Sequence, residues 1–270
     1  MELHELMQLM KNIIAEYPQI CDLLICSEQS TSSRDLQDKV LDIDALFDSG
    51  YILFEINEES LANKENVKCR LFVTGDDETL HIDILCAHEE WRLSGIKQRP
   101  IELGTLLFEA INEKICIDSK PLRFWSSEQI AVDDVIGGLT ILFGTHDFLS
   151  GERSNPFHAY DVIAEEVFKR FSDSDVLELF PIDCGKRALN VSTLLEQGII
   201  SLSPLIEPEK KFSLLFSINY STDYTISMDI TGSSEESIWV IHDKIEEIML
   251  GIPGVKVRTR GEINLSLIHI

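Results

Sequence analysis

Residues 67–86 carry the pattern that most restricts how this chain can fold. Apolar side chains occupy alternate positions on both sides of a Gly-Asp-Asp-Glu link at 75–78. Successive strand residues point to opposite faces, so alternation predicts two strands that each bury one face. The short polar link is typical turn chemistry. The segment is therefore predicted to be a β-hairpin that needs a covering layer. The alternating residues are Val67, Cys69, Leu71, Val73, Leu80, Ile82 and Ile84.

Helical spacing alternates with strand-like segments elsewhere in the chain. Apolar residues three and four apart predict helices over 3–17, 35–50, 101–114 and from about 235. Residues 211–220 and 224–231 predict a second hairpin, so both 51–114 and 211–250 have a hairpin-then-helix order. We predict an α+β fold with antiparallel sheets each covered by helices, in two similar layers that a diverged duplication would explain. The predicted domains are 1–120 and 121–270, with the boundary inside 118–155.

Three segments are harder to assign. The apolar run at 20–26 is interpreted as a buried strand, whereas 134–144 fits either a strand or a short buried helix because two glycines weaken both assignments. Ser-Asn-Pro at 154–156 predicts a helix start. Trp91, Trp125 and Trp239 are predicted to be core residues, and Trp91, which lies among charged residues, is expected to be the most exposed of them.

The net charge excludes several classes of function. The chain has 47 acidic and 23 basic residues and a formal charge of -24, which opposes phosphate clamping and binding to anionic membranes. No apolar stretch is long enough to span a bilayer, and the N-terminus lacks signal-peptide features. We therefore expect a cytoplasmic protein that binds neither nucleic acid nor membrane. The six cysteines form no C-x-x-C pair and are predicted to be reduced, mostly buried thiols.

Acidic residues concentrate in the first third of the sequence, where 20 acids face 6 bases. That bias favours a negative recognition face, and no familiar catalytic motif such as G-x-S-x-G or H-E-x-x-H occurs. We predict a non-enzymatic cytosolic interaction protein that binds a basic protein, for example a bacterial immunity protein that neutralises a toxin. No cofactor or resident metal ion is expected. The predicted contact residues are Asp35, Asp38, Asp42, Asp44, Asp48, Asp76, Asp77 and Glu78.

Two alternatives stay open. His146, Asp147, His158 and Asp161 could supply metal ligands, or a base and its orienting carboxylate, in a metal-assisted hydrolase. The C-terminal run at 263–270 is apolar enough to need covering, which would suit a homodimer formed through an edge strand.

Overall fold

The chain divides into two compact units. A computed structural model describes residues 1–25, 43–55, 67–93, 97–132, 135–146, 155–158, 165–166, 169–170, 200–201, 212–220, 225–232 and 235–251. The first unit comprises Met1–His158 with Asn219–Thr225, and the second comprises Ala159–Ile218 with Ile226–Ile270. Helices combine with a mixed sheet and a small antiparallel sheet, so the fold is α+β.

The described residues of the first unit include four α-helices and seven strands with the bounds given next, besides a 3-10 helix at His88–Glu90 and the helical residues 156–158. The helices are α1 (Leu3–Glu16), α2 (Gln19–Ile25), α3 (Ile43–Asp48) and α4 (Arg99–Ile111). The strands are β1 (Ile52–Leu53), β2 (Cys69–Gly75), β3 (Thr79–Ala87), β4 (Cys116–Ile117), β5 (Lys120–Pro121), β6 (Arg123–Ala131) and β7 (Ile136–Gly144). Strands β4 and β5 form the small antiparallel sheet.

The main sheet of this unit has the order β1-β2-β3-β7-β6. Strands β1 and β2 are parallel, and the other neighbours are antiparallel. The predicted hairpin is confirmed as β2 and β3, with Leu71 opposite Ile84 and Val73 opposite Ile82. The first unit extends to His158, and the domain boundary inside 118–155 stays a prediction. Strand β7 pairs with β3 along its whole length, which keeps β6 and β7 in the first unit.

One face of this sheet forms the core of the first unit. Leu80, Ile82, Ile84 and Cys86 of β3 are fully buried, whereas the residues between them are half-exposed. Helix α4 packs on β3 and β7, and α1 and α2 pack on α4 and β2. Burying these aliphatic side chains contributes about 1.5–3 kcal/mol each, which is the main stabilisation available to such a unit.

Aromatic rings fill the core beside α4. The Phe124 ring meets those of Phe108, Phe143 and Phe157 at centroid distances of 5.6, 6.2 and 6.1 Å, all edge to face. The Asn155 side chain accepts a 3.0 Å hydrogen bond from the Phe157 amide, as an N-cap residue does. The helix start predicted at 154–156 is thereby confirmed, since 156–158 are helical.

Two sequence predictions in this unit are wrong. Residues 19–25 form helix α2 instead of a strand. Ile20, Cys21 and Leu24 are buried on one face of this helix. A short continuous apolar run shows no periodicity, so its sequence does not distinguish a buried strand from a buried helix. Trp91 is only 2% exposed, and its indole Nε1 donates a 2.7 Å hydrogen bond to Gln98 Oε1. Its charged neighbours keep their heads in solvent while the indole lies in the core.

The cysteines agree with the prediction of reduced thiols where they are described. Cys21, Cys69 and Cys86 are buried thiols outside any disulfide, and Cys116 is an exposed one. Burial raises the pKa of the Cys21 thiol to about 11, so this side chain stays a neutral apolar group. Cys26 and Cys184 lie outside the described residues.

The second unit contains strands β8 (Ile200–Ser201), β9 (Phe212–Tyr220) and β10 (Thr225–Gly232) and helix α5 (Glu235–Leu250). Strands β9 and β10 are neighbours, as the second predicted hairpin requires, and α5 follows them. Residues 219 and 220, at the end of β9, belong to the first unit and pair with Glu128 and Ser127. Both units thus contain a hairpin followed by a helix, and a diverged duplication of this arrangement stays a prediction. The apolar C-terminal run at 263–270 lies outside the described residues.

Candidate functional site

The turn between β2 and β3 is built around Asp76. Its Oδ1 accepts hydrogen bonds from the backbone amides of Glu78 (2.8 Å) and Thr79 (2.7 Å), and its own amide donates to the Thr79 carbonyl at 3.0 Å. Amide donors favour the ionised carboxylate, so these bonds hold the pKa of Asp76 below its ordinary value. Asp76 therefore shapes the turn, although it belongs to the predicted contact set.

We expect Asp76→Ala to cost about 1 kcal/mol in free energy of unfolding at neutral pH, because two amide donors lose their acceptor. Asp76→Asn, which keeps an acceptor oxygen, is the control and should lose less. The carboxylate contributes stability above its unfolded pKa of about 3.8 and loses it as pH falls through the lower folded value. Urea unfolding at a series of pH values from 7 to 2 measures this effect. The difference in free energy of unfolding between the wild type and Asp76→Ala should shrink as the pH falls below about 3.8. An advantage that grows on acidification would contradict this role.

The other two acids of the turn point to neighbouring elements. Asp77 Oδ1 lies 3.1 Å from the amino group of Met1, and the Asp77 side chain is 90% exposed. Glu78 Oε2 lies 2.9 Å from His146 Nε2, and the Glu78 carbonyl accepts from the Thr145 amide at 2.9 Å. Both pairs lie in solvent, where such contacts contribute about 0–1 kcal/mol.

Helix α1 adds two carboxylates to the same place. Glu2 and Glu5 form a capping box at its first turn, with the Glu2 amide donating to Glu5 Oε2 at 2.6 Å. The hydrogen bond that the Met1 amine donates to Asp77 raises the pKa of that amine most, and the charges of Glu5 and Glu2 raise it further. All three carboxylates thus lie near that amine. We call this group the acidic end; it consists of Glu2, Glu5, Asp76, Asp77 and Glu78.

One of the two predicted acids of α3, Asp44, contacts α1 at another point. Asp44 forms an ion pair with Lys11, whose ammonium also lies 5.8 Å from the Phe47 ring centroid. Lys11 follows Met1 by ten positions, which is about 15 Å of helix at 1.5 Å per residue. Asp48 has no ion-pair partner among the described residues. Asp35, Asp38 and Asp42 lie outside the described residues.

The histidines of the predicted hydrolase set have separate carboxylate partners. A β-bulge at Trp125 lets its indole stack on the His146 ring at 6.1 Å, and His146 bonds to Glu78. His158 Nε2 lies 3.1 Å from Glu109 Oε1 on α4. In the described part of the chain, neither histidine belongs to a three-residue group with metal-binding spacing. Asp147 and Asp161 lie outside the described residues.

A second polar group lies on the outer face of β3. His81 Nε2 is 3.4 Å from Asp83 Oδ1, and Asp83 also accepts a 2.6 Å hydrogen bond from the Thr140 hydroxyl. Cys86 lies on the buried face of the same strand, as alternation predicted. The register places Phe72 opposite Asp83, and Lys68 forms ion pairs with Glu89 and Glu90.

The sequence interpretation missed one polar group, which lies on α5. His242, Asp243 and Glu246 hold their ligand atoms within 4.8 Å of one another. The signal was present as His-Asp-x-x-Glu, in which the histidine and glutamate are four positions apart on a predicted helix.

Comparison with known proteins found no match to any family model, curated protein or solved structure. Among the described helices, none has both the length and the apolar character needed to cross a membrane.

Proposed function

We propose that this chain is a non-enzymatic interaction protein that binds a basic protein partner through the acidic end and through α3, which contacts α1 further along its length. The observation that carries the proposal is the gathering of carboxylates from three separate elements around α1. Glu2 and Glu5 come from α1, Asp76–Glu78 from the hairpin turn, and Asp44 from α3. Only folding brings these sequence-distant acids to one helix.

The internal partners of these acids favour exchange for a ligand. The groups facing them are the Met1 amine, His146 and Lys11, each in a pair that is open to solvent. Exposed pairs of this kind contribute little, so a partner's lysine or arginine can replace them at small cost. The surrounding negative charge then raises the association rate with a cationic surface and disfavours acidic competitors.

A bacterial immunity protein that covers the cationic active site of a secreted toxin is the kind of interaction protein that this surface suits. Nucleases and other toxins that act on phosphate-bearing substrates carry basic active sites, which an acidic protein can occupy. This specific role rests on charge complementarity, together with a cytoplasmic location, which is part of the proposal. The hydrolase alternative has no such support, since His146 and His158 bond to different carboxylates.

The test is capture of proteins from bacterial lysate on the immobilised chain at about 0.1 M and about 1 M salt, where the Debye length is ~10 and ~3 Å. We expect a basic protein to be retained at low salt and released at high salt. A variant in which four acids of the proposed surface are neutralised should no longer retain this basic protein at low salt. That variant carries Asp44→Asn, Asp48→Asn, Asp77→Asn and Glu78→Gln, and leaves Asp76 intact because of its role in the turn.

The matched control removes the same number of charges elsewhere on the first unit. It carries Glu89→Gln, Glu113→Gln, Asp118→Asn and Glu128→Gln, all at exposed positions. Glu89 and Glu113 are ion-paired, with Lys68 and Arg123 respectively. The control should retain the captured protein. Absence of any basic protein at low salt, or equal loss in both variants, would refute the proposed surface.

A further inference from the structure

Helix α5 of the second unit carries a stripe of potential metal ligands. His242, Asp243 and Glu246 each offer one ligand atom, and these atoms lie within 4.8 Å of one another. Positions 242 and 246 are one helical turn apart and share a face, because residues four apart are neighbours on a helix. Asp243 reaches the same place, with its Oδ1 3.2 Å from His242 Nδ1.

The imidazole is held in position by an aromatic neighbour. Trp239 lies one turn before His242, and their rings meet edge to face at a centroid distance of 5.3 Å. The His242 side chain is only 23% exposed, whereas Trp239 is 40% exposed. A histidine ring packed in this way loses less rotational freedom on binding an ion than a free surface ring does. Ile245 and Met249 are buried and, three and seven positions after His242, lie on the same side of the helix, so the imidazole is at the border of the packed face.

The donor set defines the ion. One imidazole nitrogen and two carboxylate oxygens suit Zn²⁺ and neighbouring divalent transition metals better than Mg²⁺ or Ca²⁺, which favour oxygen alone. Zinc bonds to these donors are about 2.0–2.2 Å long, so two ligand atoms on one ion are at most ~4.4 Å apart. Small side-chain rotations from the present spacing meet that limit. Three protein ligands leave at least one position for water.

We propose that His242, Asp243 and Glu246 form a binding site for a divalent transition-metal ion of the Zn²⁺ type. The ion would bridge residues of successive turns and so strengthen α5. The site lies in the second unit, on residues that the proposed acidic surface does not use, so each proposal can fail without the other. Among the described residues, this is the one group of three potential ligands with such spacing.

The experiment is titration of the full chain with ZnCl₂ by calorimetry, with Ni²⁺ quenching of tryptophan fluorescence as a second measurement. We expect His242→Ala and Glu246→Gln each to lose one zinc equivalent relative to the wild type. Nickel should quench the emission of Trp239, and Trp239→Phe should remove the quenched component while keeping the zinc equivalent.

The control is His146→Ala, because His146 also has a carboxylate partner and a stacked tryptophan, at Glu78 and Trp125. It should bind zinc with the wild-type stoichiometry. Circular dichroism should show α-helix content preserved in Glu246→Gln, whose side chain is nearly isosteric. A wild-type chain that takes up no zinc, or equal zinc binding in wild type, His242→Ala and Glu246→Gln, would overturn the site.

Discussion

Gly138→Ala is expected to lower the free energy of unfolding of the first unit by about 3 kcal/mol or more, at the upper end for overpacking. A Cβ at this position would lie 1.7 Å from the carbonyl oxygen of Ile84 and 2.8 Å from its carbonyl carbon. Both atoms belong to the backbone of β3, which cannot rotate aside as a side chain can. Strands β3 and β7 would have to separate where Gly138 faces Leu85. Urea unfolding followed by circular dichroism and tryptophan fluorescence measures the loss.

Gly144→Ala in the same strand is the comparison for this prediction. Its added Cβ would lie 2.5 Å from a ring carbon of Trp125, so the obstacle is a side chain. Trp125 sits at a β-bulge and can move away, which should limit the cost to about 1–2 kcal/mol. A Gly138→Ala protein with wild-type stability, or one more stable than Gly144→Ala, would contradict the close approach of β3 and β7.

Arg99→Met is expected to cost about 3–5 kcal/mol, since it removes a buried cation on which other polar groups depend. Arg99 is 1% exposed. Its Nε donates to the Glu90 carbonyl at 2.7 Å and its Nη1 to the Leu23 carbonyl at 2.8 Å, near the C-terminus of α2. The substitution keeps much of the volume but leaves both carbonyls without these donors. Carbonyls at a helix C-terminus need such a partner because they lack one within the helix.

Arg123→Met provides the same chemical change at a more open position. Arg123 is 33% exposed, and its Nε lies 3.2 Å from Glu113 Oε1. We expect a loss of about 1 kcal/mol or less, as for exposed ion pairs. Denaturant unfolding should therefore show a loss in free energy of unfolding that is several-fold larger for Arg99→Met than for Arg123→Met. Equal losses would show that Arg99 does not join α2 to the start of α4.

Segments with a clear period were predicted correctly from the sequence. Alternation at 67–86 fits only a strand pair with one buried face, and β2 and β3 have that arrangement. The helical spacing at 3–17 likewise gave α1, with Leu6, Met10, Ile13 and Ile14 buried. For these segments the buried face is written into the order of residues, so local reasoning was sufficient.

Segments without a period depended on their neighbours. Residues 136–144 form a strand because β3 and β6 pair with both of its edges, which the two glycines permit. The candidate site shows the same limit, since Glu78 meets His146 and Asp44 meets Lys11 across long separations in sequence. The sequence predicted that acidic residues are numerous and concentrate in the first third of the chain. It did not predict which of them form ion pairs with other residues of the same chain.

By itself, the sequence determined the two periodic classes of secondary structure, the α+β fold and the strong negative charge, because each depends only on local order or on composition. Tertiary structure alone decided that 19–25 is helical, that Trp91 is buried, that acids of α1 and the hairpin turn meet at the Met1 amine, and that Asp44 of α3 pairs with Lys11. These outcomes depend on contacts between residues far apart in the chain, whose energies local patterns do not encode.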